Sequence, residues 1–96
     1  MISKEDIVRK LKEVIDPEIG FDIVSLGEIS EIKIEDKKVF IKIVPTTPLC
    51  PYLPLLIELT ENKIKELNLE PVIEIDYETQ WSLDRIDPEI RKKLEL

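Results

Sequence analysis

Cys50 is the one side chain in this sequence that joins nucleophilic and soft-metal chemistry, and its surroundings decide which it can perform. It is the single cysteine of 96 residues, and there is no histidine. A Ser-His-Asp or Cys-His pair is therefore excluded, and so is a zinc site built from His and Cys within one chain. A lone thiol cannot close an internal disulfide, so nothing points to an oxidising compartment. The thiol lies in Pro45-Thr46-Thr47-Pro48-Leu49-Cys50-Pro51, three prolines in seven residues, with the Thr46 and Thr47 hydroxyls at the entrance. If Pro51 opens the next helix, Cys50 is its N-cap, where unpaired N–H groups and the positive helix end stabilise a thiolate. If the helix opens at Pro54, the thiol sits three residues before it and that argument weakens. An inert buried cysteine acting as a small hydrophobe is the competing reading, of equal weight on spacing alone.

Asp16, Glu18 and Asp22 form a second constellation. Oxygen ligands on one loop could hold a hard cation or help to place a thiol-bound metal. Their spacing matches no calcium loop, and with 21 acidic residues and a net charge of -7 such a trio reads first as solvated. Asp16-Pro17 is also a turn-starting pair. Trp81, the sole tryptophan, follows the last strand in a polar segment. It either caps the core, the favoured reading, or anchors an interface. The run from Glu61 to Glu66 is a solvated helix face.

Ninety-six residues make one domain, 1–96, because a chain of this size supports a single core that hides roughly two thirds of the extended surface. At 43% hydrophobic and 36% charged the chain is folded and soluble. Its acidity argues against a nucleic-acid binder, which needs a basic face. The charged start Met1-Ile2-Ser3-Lys4-Glu5-Asp6 is no signal peptide, and no apolar run approaches the roughly 20 residues of a membrane span, so no membrane and a cytoplasmic location are expected. A Glu/Lys coat over an Ile/Leu interior without alanine is a bias of thermophile proteins.

Ser3 and Asp6 resemble a capping box, and Ile7, Val8, Leu11, Val14 and Ile15 then recur at helical spacing up to Asp16-Pro17. The loop from Asp16 to Gly27 holds both glycines but also Ile19, Phe21, Ile23, Val24 and Leu26, so it should lie across the core edge. Glu28–Glu35 and Lys38–Val44 read as a hairpin around Asp36-Lys37, with a bulge where the first strand switches parity between Ile29 and Ile32. A helix to about Leu67-Asn68 carries Leu53, Leu56, Ile57, Ile64 and Leu67 on one face, widened by Leu55 and Leu59 toward the sheet or a partner. A third strand from Pro71 to about Glu78 places Ile73, Ile75 and Tyr77 together, and Asp87-Pro88 starts a short helix. The order α-β-β-α-β-(short α) predicts an α+β two-layer sandwich: a small three-stranded sheet with helices on one face.

Three motifs in this order, Asp16-Pro17-Glu18-Ile19-Gly20, Asp22-Ile23-Val24-Ser25-Leu26-Gly27 and Thr46-Thr47-Pro48-Leu49-Cys50-Pro51, resemble the PaaD/SufT-like family of metal-sulfur cluster biosynthesis proteins over nearly the whole chain. The resemblance implies a small α+β domain that assembles iron-sulfur clusters or delivers them, with Cys50 the functional thiol. It brings Asp16 and Glu18, and the Thr46 and Thr47 hydroxyls, to the cluster-binding site. Glu78-Thr79-Gln80-Trp81-Ser82-Leu83 departs from the family, whose members commonly carry prolines around the tryptophan. Stable clusters usually take four protein ligands, mostly thiolates, and one chain offers one. Cys50 is therefore expected to hold iron or a cluster transiently, sharing it with a scaffold protein, a client apo-protein, a small thiol or a second copy in a homodimer. No enzymatic activity is expected. The alternatives are a pure adaptor of the assembly machinery and a thiol-dependent enzyme with Cys50 as nucleophile.

Overall fold

A computed structural model describes residues 2–45 and 52–94. Ser3 caps the first helix, α1 (Lys4–Leu11): its hydroxyl accepts from the Asp6 N–H, and Asp6 returns the bond to the Ser3 N–H at 2.9 Å. Two strands follow, β1 (Ile29–Glu35) and β2 (Lys38–Ile43), paired antiparallel around a tight tip. Asp36 adopts φ 53° there, a left-handed conformation that Asp tolerates better than most residues. The register shifts between Ile29 and Glu31, the expected bulge. The second helix, α2 (Leu53–Lys65), leads through Asn68, at φ 61°, into β3 (Glu70–Ile75). β3 pairs parallel to β2 from Lys38–Glu70 to Ile43–Ile75, giving the strand order β1-β2-β3. A 3-10 turn (Leu83–Arg85) and a short helix, α3 (Pro88–Lys93), capped by Asp87, complete the described chain.

Alternation along β2 sends Val39, Ile41 and Ile43 to one face, where they bury with Ile7 and Leu11 of α1 and Ile64 of α2. The opposite face carries exposed Glu31, Lys33 and Glu74 with half-buried Phe40 and Lys42 around a shallow depression. Lys33 and Lys42 pair there with Glu35 at 3.0 Å and Glu31 at 3.4 Å. This is the expected α+β two-layer arrangement.

Two apolar residues fall elsewhere than their spacing predicts. Ile15 is exposed, because α1 ends at Leu11 and only Val14 turns inward beyond it. Tyr77 is 72% exposed, because β3 stops at Ile75 and Asp76 bends the chain away from the core. The helical face of α2 is narrower than expected: Leu56, Thr60 and Ile64 are buried, while Leu55 remains exposed. Thr60 satisfies its hydroxyl by donating to the Leu56 carbonyl at 2.7 Å.

Candidate functional site

The segment between α1 and β1 folds into two consecutive turns, each held by an aspartate. The Asp16 N–H donates to the Phe21 carbonyl and the Gly20 N–H to the Asp16 carbonyl, with Gly20 at φ 87°. Asp16 Oδ1 accepts from the backbone N–H of Glu18 at 2.8 Å and of Ile19 at 3.4 Å. Asp22 repeats the device, Oδ2 accepting from the Ser25 N–H at 2.9 Å. Buried Ile23 and Leu26 pin the second turn to the core, and Ile23 packs with Val14 and Leu56 in a cluster of its own. Asp16, Glu18 and Asp22 thus share one loop without converging. Asp16 is buried, Asp22 is half-buried and tied into its turn, and Glu18 is exposed.

Beneath this loop lies a residue that the sequence did not single out. Glu28, between Gly27 and β1, is 1% exposed, and Asp16 is fully buried. Asp16 Oδ2 and both carboxyl oxygens of Glu28 have no hydrogen-bond donor among the described residues. Burial pushes the Glu28 carboxyl up to about 9, helped by the adjacent Asp16 carboxyl and the Glu18 charge. Its backbone is fixed on both sides: Glu28 N–H donates to the Ile23 carbonyl at 3.0 Å, and its carbonyl accepts from Val44 N–H at 2.7 Å. The available signal was a charge inside Leu26-Gly27-Glu28-Ile29, but in so acidic a chain one Glu at a strand start looks solvated.

The C-terminal segment closes over the same loop. Trp81 Nε1 donates to the Leu26 carbonyl, Arg85 Nε to the Gly27 carbonyl and Asp87 N–H to the Ser25 carbonyl, each at 2.8 Å. Gly27 sits at φ 70°, and a Cβ there would collide with the Arg85 carbonyl oxygen and Cβ. Trp81 accordingly caps the core edge, half-buried. It also walls a cavity of about 360 Å³ with Pro45, Asp76, Tyr77, Glu78, Thr79 and Gln80. Asp76 accepts four bonds: from the Glu78 and Thr79 N–H groups and from the Ser30 and Thr79 hydroxyls, at 2.7 to 3.0 Å. Those donors hold its carboxyl well below the usual carboxylate range.

Thr46, Thr47 and Cys50 lie outside the described residues. Both flanks of their segment are nonetheless tied to the acidic loop. Val44 is bonded to Glu28 on one side; on the other, Leu56 packs on Val14 and Ile23 and donates its N–H to the Tyr52 carbonyl. Tyr52 is the N-cap of α2, and Pro54 falls in its first turn, where a missing N–H costs nothing. The helix thus begins at Leu53, one residue before the later of the two expected starts, Pro54, and its N-cap is Tyr52 rather than Cys50. Among the described residues no three Cys, His, Asp or Glu side chains gather in a metal-binding group. Nor is any described helix long and apolar enough to cross a membrane.

Comparison with known proteins places this arrangement. A conserved hypothetical protein of Thermotoga maritima superposes with a TM-score of 0.77 at 35% identity, over 99% of this chain and 96% of that one. A domain of unknown function from Bacillus anthracis shares the fold with a TM-score of 0.91, over 97% of this chain and 92% of that one, at 22% identity. An Fe-S protein maturation auxiliary factor of Porphyromonas gingivalis is 32% identical across 96% of this chain and 90% of its own length. The model of the iron-sulfur cluster assembly protein family matches residues 4–77, and the chain belongs to that family.

Proposed function

We propose that this chain acts in iron-sulfur cluster assembly or delivery as a non-enzymatic factor whose Cys50 holds iron or a cluster transiently and passes it on. One observation carries the reading: in a chain of a cluster-assembly family, a single soft ligand stands where a stored cluster needs about four. The remaining ligands must come from another molecule, whether a scaffold, a client apo-protein or a second copy. Thr46 and Thr47 flank the thiol in sequence, and the Asp16–Glu18 turn supplies the acidic wall of the site. Homologues bearing the name of Fe-S maturation auxiliary factors support this reading. A thiol-dependent enzyme has less support, since no histidine is present and the α2 N-cap is Tyr52.

Anaerobic reconstitution with iron and sulfide tests the proposal. Wild type should develop cluster absorption in an assembly larger than one chain, and Cys50→Ser should not. Cluster absorption in Cys50→Ser would overturn it. The adaptor reading draws on the exposed Tyr52 and Leu55 at the start of α2. It predicts that Leu55→Glu abolishes maturation of a cluster-dependent enzyme in cells while Cys50→Ser does not.

A further inference from the structure

Three carboxyl oxygens, Asp16 Oδ2 and Glu28 Oε1 and Oε2, are buried without a donor among the described residues. Buried polar atoms left unpartnered are costly, and two bare carboxylates side by side add like-charge repulsion. One shared proton removes the repulsion and pairs two of the three oxygens, Asp16 Oδ2 and one of Glu28. Asp16 Oδ1 already accepts two backbone N–H bonds, whereas neither carboxyl oxygen of Glu28 has a donor among the described residues, so the proton belongs on Glu28. The charged groups acting on Glu28 are Asp16 and Glu18, both acidic and both from the same loop, and they reinforce that assignment.

We infer that Glu28 is a positioning residue of the site: as a neutral acid it donates its proton to Asp16 Oδ2 and locks the Asp16–Phe21 turn against the strand end from which the Thr46–Cys50 segment departs. The functional part of this inference rests on the reading of Cys50 given above. The geometric part does not. Through its carbonyl Glu28 also receives the Val44 N–H, so one residue ties the acidic turn to the entry of the thiol segment. Leucine in its place would keep the apolar packing and leave Asp16 Oδ2 buried without a donor; glutamine would keep a donor.

The test uses the full chain. At neutral pH the infrared spectrum of wild type should show a protonated carboxyl band that is absent from Glu28→Gln, and Asp16→Asn should shift or remove it. In cells, Glu28→Leu should lower maturation of a cluster-dependent enzyme roughly tenfold or more, as loss of an outer-shell partner typically does, and Glu28→Gln should recover most of that loss. No protonated carboxyl in wild type, or full maturation by a folded Glu28→Leu, would overturn the inference. Should Glu28→Leu not fold, wild type and Glu28→Gln decide the matter alone: wild type should lose thermal stability relative to the variant as pH rises, and parallel curves would refute the shared proton. Unchanged maturation in Cys50→Ser would overturn the cluster-carrier reading only, because the infrared band does not depend on it.

Discussion

The end of β2 has an acid on each side. Val44 N–H bonds the Glu28 carbonyl, and the Ile43 carbonyl accepts the Asp76 N–H. Asp76 sits near solvent with four donors around its carboxylate and is held ionised. Glu28 sits in the core with none among the described residues and is pushed up to about 9. Both are carboxyls flanking one strand end in one acidic chain, so net charge does not separate them. The supply of donors and of water does.

Gly27→Val should erase the contrast with the largest effect. Strain at φ 70° and collision with Arg85 should together destabilise by about 3 kcal/mol or more. The same change should lift Trp81 off Leu26 and wet Glu28. Chemical denaturation and a red-shifted Trp81 emission would check it. Next comes pH. The folded-state value of Glu28 lies above its ordinary value near 4.5, so its contribution is complete below that value and is lost as pH rises through about 9. Removing this group with Glu28→Gln should flatten the alkaline limb of a stability profile by on the order of a few kcal/mol. Asp76 acts with the opposite sign: its contribution is present above the ordinary carboxylate range and lost as pH falls toward its lowered value. Asp76→Asn should therefore flatten the acid limb, more weakly because the group is exposed. Smallest of all, Lys10→Ala removes the pairs to Glu66 at 2.8 Å and Glu13 at 3.5 Å on the surface. Its effect on the melting temperature should vanish in high salt, unlike the other three.

What the sequence disclosed and what it hid divide along the same physical line. Local rules reach the Ser3–Asp6 cap, the Asp36-Lys37 tip, the bulge after Ile29 and the Asp87-Pro88 helix start, because each is decided within a few residues. The same rules overrun at Ile15 and Tyr77, where a helix and a strand end earlier than their apolar periodicity. At the site, the motifs pointed to Asp16 and its loop. Asp16 stands buried rather than solvated, with Glu28 beside it. Glu28 itself was illegible, since burial of a lone acid is a property of the assembled core and not of its neighbours in the chain. The Trp81–Asp87 clasp was legible only in part: Trp81 read as a cap on the core, but its bond to Leu26 and that of Arg85 to Gly27 join residues far apart in the chain.

That clasp also bears on the order in which the molecule sets. Its bonds join residues 55 and 58 positions apart, Trp81 to Leu26 and Arg85 to Gly27, whereas the β1–β2 hairpin closes over a few residues. Contacts of long sequence separation wait until the entropy of closing the intervening chain has been offset, so the hairpin and helices come first and the acidic loop is sealed late. Because Trp81 is the only tryptophan, its fluorescence in a rapid-mixing experiment times that final closure without any added label.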